Sequence, residues 1–501
     1  MNKITFLILL FSSTLFSQIQ KLSALSKGKF IDSRVIFEDN SEDVFGYFLL
    51  YEVDRLSKQI YSFEYVVLDK NLNKITSNVF TQSQGYKNFI PKVEIKISFV
   101  KKLKDELFFG LFDVTSYFND FAYLSHLVNH RYRKINLENF NLSNEFVLND
   151  LKKNEKFYQP EDKIALDDVV SNQTLIPLNN ENFLIFSDSE YKISKSSSAY
   201  NKKIRALKEG VKEFHLLDSE MNIVWSKKIN AEGTAIGHYR YRGSDKNVLV
   251  LQKDVYGKNI TQTFNFEVFD INNGNEIGKI NSEDPNYYLD FEQMIITENE
   301  IVLYSILHSK HFDLLYDEKS LGYGKIIMDK KTGKELRRDY FLWNNLNPHL
   351  TFENEFGTIK NYGRLIVQKF IHLKNGNTIA FAEGYKMDMS TKVLDLFILE
   401  LDPEMKVKYY KKIDKNVTNF AFKEFTGLYL QEAKLFDYYY TQKLDNNENY
   451  VFFYNNNERD GLGIVKRLKP NWVLGIITYV DGEFNYDKIQ LTNKDSQIIP
   501  G

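Results

Sequence analysis

The alternating segment His-Tyr-Arg-Tyr-Arg at positions 238–242 is the part of the sequence whose residue types most directly suggest chemistry. Successive side chains of an extended strand point to opposite faces, so His238, Arg240 and Arg242 share one face. Guanidinium groups bind carboxylates and phosphates through paired hydrogen bonds. We interpret the three basic residues as a candidate binding site for an anionic group, if this strand lines a channel. The alternative is that the arginines pair with carboxylates of a neighbouring element.

Polar residues also recur where apolar strands end. Seven similar strands place the following residues at one equivalent position: Glu52, Phe112, Asp188, Lys253, Ile306, Glu383 and Asn455. Carboxylates on one rim are suited to metal binding or to the acid/base pair of a glycosidase. Glu52 is therefore a candidate binding residue, and Asp188 and Glu383 are the candidate catalytic residues of an enzyme. The simpler interpretation is that strands become polar where they leave a core.

The tyrosines that follow Asp437 are a third candidate surface. Tyr438 and Tyr440 are candidate binding residues, because exposed aromatic rings stack on sugars and peptides. The alternative is that they pack between sheets. The histidine pairs 126/130 and 308/311 lack the glutamate of a zinc-protease helix, so we predict no metal site and no cofactor.

These residues are positioned by a repeat with a mean length of roughly 67 residues. Each unit begins with two strands joined by a polar turn, and these turns fall near positions 42, 103, 180, 245, 298, 375 and 447. A second hairpin follows, whose first strand ends in Asp at 69, 218, 270, 329 and 402. Asp opens such turns by accepting hydrogen bonds from the backbone that follows it. Looser matches place the second turn near Asn129 in unit two and at residues 469–471 in unit seven.

The second strand of each unit, such as residues 248–251, is apolar on both faces. Strands of this kind lie between stacked sheets, whereas the strands of an outer-membrane barrel alternate strictly. The sequence therefore predicts an all-β fold, a β-propeller of about seven four-stranded antiparallel blades. Six or eight blades are the alternative counts.

The turn Asp-Lys-Lys-Thr-Gly-Lys-Glu at 329–335 resembles that of quinoprotein-type propeller repeats. The tryptophan that such repeats carry after the turn is replaced here by Arg337, so the resemblance does not imply a cofactor. As a whole, the chain resembles uncharacterised secreted propeller-like proteins of the Bacteroidota, rich in Asn, Lys, Ile and Tyr. That resemblance implies a secreted propeller and no known activity.

The N-terminus has the order of a secretory signal, with Lys3 ahead of the apolar run 4–11 and small polar residues up to Ser17. We predict a signal peptide at 1–17 and a single propeller domain at 18–501, with long insertions near 136–172, 189–210 and 343–363. No later run reaches the ~18 apolar residues of a membrane-spanning helix, so no transmembrane segment is predicted in the mature chain. The expected location is periplasmic or extracellular, with association with the cell surface as one form of it.

Composition narrows the function. The 501 residues carry 65 Lys+Arg and 67 Asp+Glu, a net charge of -2, which gives no electrostatic basis for a nucleic-acid partner. The absence of cysteine excludes disulfides and thiolate sites. We hypothesise a secreted non-enzymatic propeller that binds a protein, peptide or glycan on its loop face. The alternatives are an extracellular glycoside hydrolase or lyase using rim carboxylates, and a scaffold subunit of a cell-envelope complex.

Overall fold

A computed structural model gives the architecture of most of the chain. It describes residues 25–38, 43–57, 60–83, 93–119, 122–145, 175–188, 212–229, 236–256, 262–281, 283–309, 320–360, 363–387, 391–420, 427–432, 435–444, 448–456 and 472–491. The predicted signal peptide and insertion 189–210 lie outside these residues, as does most of insertion 136–172. No helix in the described ranges combines the length and apolar character needed to cross a membrane.

The strands form seven antiparallel sheets in chain order, which we call blades one to seven. Blades one to three consist of β1 (Lys29–Phe37), β2 (Val44–Arg55), β3 (Ile60–Asp69), β4 (Lys74–Ser83); β5 (Val93–Leu103), β6 (Glu106–Asn119), β7 (Ala122–Asn136); and β8 (Ile176–Pro177), β9 (Phe183–Asp188), β10 (Lys212–Leu217), β11 (Ile223–Ile229). Blades four and five consist of β12 (Ile236–Ser244), β13 (Val248–Tyr256), β14 (Gln262–Asp270), β15 (Glu276–Asn281); and β16 (Tyr287–Ile296), β17 (Glu300–Ser309), β18 (Gly322–Asp329), β19 (Glu335–Leu342).

Blades six and seven complete the set. They consist of β20 (Thr358–Ile359), β21 (Gly363–His372), β22 (Thr378–Met387), β23 (Thr391–Leu401), β24 (Val407–Ile413), β25 (Thr418–Phe420); and β26 (Tyr438–Lys443), β27 (Tyr450–Asn455), β28 (Trp472–Val480), β29 (Glu483–Leu491). A short helix, α1 (Gly427–Glu432), and a 3-10 helix (Trp343–Leu346) belong to connections.

This arrangement is the predicted β-propeller with seven blades. Within each blade the strands pair in sequence order, except that β25 of blade six pairs with β23. The first strands of consecutive blades touch, as β1 touches β5 and β12 touches β16. The first strands are therefore innermost. In the described part of the chain blade two has three strands, and blade six gains two short ones, β20 and β25. Blade one is built only from the N-terminal strands β1 to β4, and blade seven only from the C-terminal strands β26 to β29.

The predicted turns account for this regularity. All seven first-hairpin turns join the first two main strands of their blades, as the sequence predicts; in blade six these are β21 and β22, which follow the short β20. In the second hairpins, Asp69 Oδ1 accepts hydrogen bonds from the backbone N–H of Asn71 and Asn73, both at 2.8 Å. Asp329 binds Thr332 in the same way, and Gly333 closes that turn with a φ of +66°. The Asp residues therefore set these turns through their side chains.

Two of the looser turn predictions are wrong. Asn129 lies inside the long strand β7, and the turn of blade two follows it at Asn136, whose Oδ1 accepts from the N–H of Glu138. In blade seven the second hairpin turns at Asp481 and Gly482, beyond the predicted residues 469–471, which lie outside the described ranges. The turn of blade two opens with Asn136 in place of Asp, and that of blade seven is the two-residue turn Asp481 and Gly482 in place of a four- or five-residue one, so the predicted signature misplaces both.

Aromatic side chains join each blade to the next. Six apolar cores lie between successive blades from one to seven. Each contains a pair of rings from the two blades with centroids 4.3 to 5.5 Å apart: Phe48–Phe109, Phe108–Phe183, Phe214–Phe269, Phe266–Phe291, Tyr304–Phe370 and Phe381–Phe452. The aromatic excess of the composition is therefore used to pack blade against blade.

Candidate functional site

The basic segment lies on β12, the innermost strand of blade four. Its two tyrosines pack toward blade three, so that the arginines face blade five, as strand alternation predicts. Arg240 is exposed and lies opposite Gln252 of β13. Of His238 the structure describes the backbone only. The strand that the sequence singles out therefore does line the inner part of the propeller.

Arg242 makes its contacts across the junction of blades four and five. Its Nε donates a hydrogen bond to Gln252 Oε1 at 2.7 Å. Its guanidinium lies 4.3 Å from the centre of the Phe291 ring on β16, a cation–π distance. One edge of this guanidinium is thus held by protein groups, which orients the side chain.

The three rim carboxylates do not form one site. Glu52 is half-buried in blade one. Asp188 ends β9 in blade three, where the structure describes its backbone only, and Glu383 lies on β22 in blade six. Sheets packed face to face are about 10 Å apart, and two whole blades separate Asp188 from Glu383. This placement gives no support to a shared catalytic pair.

Glu383 is fully buried, at 0% exposure. Its two carboxyl oxygens accept hydrogen bonds from the backbone N–H groups of Asp437, at 3.0 Å, and Tyr438. Burial raises its pKa, Lys415 lowers it and Asp437 raises it. The candidate catalytic carboxyl is therefore enclosed between blades six and seven and does not reach the surface.

The tyrosines divide into packing and exposed residues. Tyr438 packs its ring 5.5 Å from Phe381 and shares a hydrogen bond between its hydroxyl and that of Thr441, at 2.7 Å. Tyr440 is 37% exposed, whereas Tyr439, which lies in the same predicted segment but is not one of its two named candidates, is 81% exposed. The most accessible ring of the segment is thus the middle one.

A β-bulge explains the position of Tyr439. On β26 the register jumps from Tyr438 to Tyr440, so Tyr439 has no partner on β27. Six innermost strands carry a bulge at a corresponding point, and the inserted residues are Ile31, Ser98, Arg242, Glu292, Gln368 and Tyr439. Bulges re-aim side chains and occur often beside active sites. From blade four to blade seven the inserted residues are a cation, a carboxyl group, an amide and an exposed phenol.

The sequence singled out Arg242 but not the series to which it belongs, because the repeat was compared along its second strands and the bulges lie in the first strands. A bulge also interrupts the two-residue period on which strand assignment depends. The signal available in the sequence was the appearance of polar residues inside otherwise β-like first strands.

Of the six inserted residues, Glu292 has the most strongly shifted pKa. Gln431 of α1 donates from Nε2 to Glu292 Oε1 at 2.5 Å and to the Val367 carbonyl oxygen at 3.2 Å. Burial of the carboxyl raises the pKa of Glu292 to about 7, the Gln431 hydrogen bond opposes this, and Asp290 adds to it. The carboxyl is enclosed even though the residue as a whole is half-buried. This group changes charge near neutral pH.

A cavity lies close to this carboxyl, between blades five and six. It is lined by Ile306, His308, Ser320, Tyr323, Arg364, Leu365, Ile366 and Tyr385. It offers about 20 Å³ to the centre of a water molecule, room for a single water and far below the volume of an organic-ligand pocket. The cavity is therefore not a site for a sugar or a peptide side chain.

Replacing Glu292 with glutamine is expected to flatten the pH dependence of stability. The folded-state pKa is raised, so the contribution of Glu292 is fully present below about pH 4.5 and is lost as pH rises through about 7. Relative to the variant, the wild type should lose about 1–3 kcal/mol of unfolding free energy between pH 4.5 and 8. Urea denaturation at both pH values measures this difference.

The matched control is Glu298→Gln, on the exposed turn between β16 and β17. This control should follow the wild-type pH profile. A Glu292→Gln profile that also follows the wild type would show that the carboxyl titrates normally.

Comparison with known proteins finds similarity to solved structures of distant sequence. No protein-family model matches the sequence, and no curated protein matches it. Similar solved structures include the β-propeller domain of the trilobed protease from Pyrococcus furiosus, at 12% identity and a TM-score of 0.35, over 92% of this chain and 97% of that chain.

Two enzymes are also among the similar structures. The quinohemoprotein alcohol dehydrogenase from Comamonas testosteroni matches at 10% identity and a TM-score of 0.32, over 76% of this chain and 59% of that chain. Cobalt-substituted ACO of Synechocystis matches at 9% identity and a TM-score of 0.32, over 63% of this chain and 62% of that chain. None of these likenesses carries an inference about activity. The resemblance to Bacteroidota proteins stays a prediction.

Proposed function

We propose that this protein is an exported, non-enzymatic propeller that binds a peptide or glycan chain at the inner strands of its blades. The observation that carries the proposal is the 81% exposed ring of Tyr439 on the bulge of β26. A tyrosine on a rigid strand offers a large stacking surface at little cost in conformational entropy. Tyr440 follows it on the same strand, partly exposed.

The arginines on the innermost strand of blade four also support the proposal. Arg240 is exposed on the innermost strand of blade four, and Arg242 is oriented by Gln252 and Phe291. Guanidinium groups bind carboxylates, phosphates and sulfates. A chain that carries both ring-like units and acidic groups would match the tyrosines and the arginines together. Export is supported by the order of residues 1–17 in the sequence.

Glu383, a candidate catalytic residue of the enzyme alternative, is unsuited to that role. The carboxyl is buried, and both of its oxygens already accept backbone hydrogen bonds. A general acid must reach the atom it protonates. The envelope-scaffold alternative has no specific observation in its favour among the described residues.

The Tyr439→Ala variant tests the proposal. The wild type is screened on an array of immobilised acidic and neutral glycans and peptides, and the strongest binder is titrated against the variant. The affinity should fall about fivefold to tenfold, because one aromatic stacking contact contributes ~1–1.5 kcal/mol. Arg240→Ala should weaken binding of acidic ligands more than that of neutral ones.

The matched control is Tyr409→Ala, a 36% exposed tyrosine on β24, an outer strand of blade six. This variant should bind like the wild type. Unchanged binding by Tyr439→Ala would contradict the proposal, and turnover of a ligand on the array would replace it with an enzymatic function.

A further inference from the structure

Three ionisable side chains are buried together where blade six meets blade seven. Glu383 lies on β22, Lys415 in the loop between β24 and β25, and Asp437 directly before β26. The side chains of Lys415 and Asp437 are 0% and 3% exposed, and Lys415 Nζ contacts Asp437 Oδ2. The proposed ligand-binding surface makes no use of this triad.

The triad lies beside the aromatic core between blades six and seven, while its own contacts are polar. Phe381 and Phe452 stack between the same two blades, and Tyr385 and Phe436 form a neighbouring buried cluster. Burying charged groups is costly, which favours a reaction that replaces an ammonium and a carboxylate with a neutral amide. A neutral lysine amine is a nucleophile.

The carboxyl of Asp437 is oriented as the electrophile that the Lys415 amine can attack. Its second oxygen, Oδ1, accepts a hydrogen bond from Thr418 Oγ1 at 2.9 Å and faces Asn455 Nδ2 at 3.3 Å. Donors at this oxygen stabilise the negative charge that develops when a nucleophile adds to the carboxyl carbon. The same contacts fix the orientation of the carboxyl relative to Lys415.

Glu383 supplies a third group that can exchange protons. Its carboxyl is held against the backbone N–H of Asp437, and the charges of both Lys415 and Asp437 act on it. Because burial raises its pKa, Glu383 can hold a proton at neutral pH.

We propose that Lys415 and Asp437 join in an intramolecular isopeptide bond that ties blade six to blade seven. The Lys415 ammonium first gives a proton to the Asp437 carboxylate by way of Glu383. Nζ then forms a bond to Cγ of Asp437, the bond from Cγ to one carboxyl oxygen breaks, and that oxygen leaves as water with the second amine proton. Charge and atoms balance: an ammonium and a carboxylate become an amide and one water, with no oxidant or cofactor.

The bond would give this cysteine-free chain a covalent cross-link. It closes a loop from residue 415 to residue 437 that includes α1 and crosses the junction between the two blades. A cross-link of this kind restricts the unfolded chain as a disulfide does, but reductants do not break it.

Mass spectrometry of the full chain tests the proposal. The intact mass should be lower by one water than the mass of the sequence after any signal removal, and peptide mapping should yield a branched peptide that joins Lys415 to Asp437. Lys415→Arg and Asp437→Ala should restore the full mass. Asp437→Asn should lose one ammonia in place of one water, because the amide nitrogen then leaves.

The Glu383→Gln variant distinguishes a role of Glu383 in proton transfer from a purely structural role. The variant keeps Lys415 and Asp437 in place, and it should show the unlinked mass or a slow approach to the linked mass after refolding. If Glu383→Gln fails to fold, the ammonia loss of Asp437→Asn still decides the question.

The pair of Lys330 and Asp245 serves as the internal control. Lys330 Nζ is also buried and donates to Asp245 Oδ2 and to the Thr297 carbonyl oxygen, both at 2.8 Å, but the Asp245 side chain is 26% exposed. No branched peptide should form there, and Lys330→Met should keep the mass loss. A wild-type mass equal to that of the sequence, with no branched peptide, would overturn the proposal and leave a buried ion pair.

Discussion

Replacing Trp343 with alanine is expected to lower the free energy of unfolding by about 3–5 kcal/mol, the usual cost of truncating a fully buried tryptophan. Trp343 begins the connection 343–363, which the sequence marks as an insertion. Its ring is fully buried and packs edge-on against Tyr323 and Phe341, at centroid distances of 5.5 and 5.6 Å. Its Nε1 donates to the carbonyl and hydroxyl oxygens of Ser320.

Chemical denaturation of the wild type and of two variants measures this contribution. Trp343→Phe keeps a ring in the cavity and loses the indole N–H, so its cost should be smaller, about 1–2 kcal/mol. A loss below about 1 kcal/mol for Trp343→Ala would show that the connection does not anchor the junction of blades five and six.

The second large effect concerns the triad of Glu383, Lys415 and Asp437. Lys415→Met should cost about 3–5 kcal/mol, because the buried Asp437 carboxyl then loses its Lys415 partner, bonded or paired, and lies beside a second carboxyl. Adding Asp437→Asn to Lys415→Met should recover about 2–3 kcal/mol, since the unpaired charge is then removed. Neither variant has the lysine amine, so their difference is independent of any covalent bond between the two side chains.

Denaturant unfolding of the two variants at pH 7 gives the difference directly. A double variant no more stable than Lys415→Met would mean that Asp437 is already protonated in the single variant.

The sequence predicts the architecture well because each repeat unit is defined by turn and strand residues that act over a short stretch of chain. Turns such as Asp69 to Asn73 and Asp329 to Gly333 are closed by their own side chains, so they form at the predicted positions. The errors arise in units two and seven, where Asn136 and Asp481 open the second turns in place of the expected residues. A local signal places a turn only where the residues follow the pattern.

The candidate site was predicted in part. The basic strand 238–242 and the tyrosines from Tyr438 onward do lie on innermost strands. Glu292 was missed, and Tyr439 was not recognised as the most exposed ring of its segment, because each is the inserted residue of a bulge. A bulge depends on how two strands pair, and the interrupted period of one strand does not by itself show where the partner skips a residue.

The sequence by itself determined the all-β repeat, the strand order within blades and the aromatic packing between them. Backbone turn preferences and apolar periodicity act over a few residues, and both can be read along the chain. Only the tertiary structure decided which polar side chains became buried together. Glu383, Lys415 and Asp437 lie far apart in sequence, and their desolvation and proximity depend on how blade six packs against blade seven.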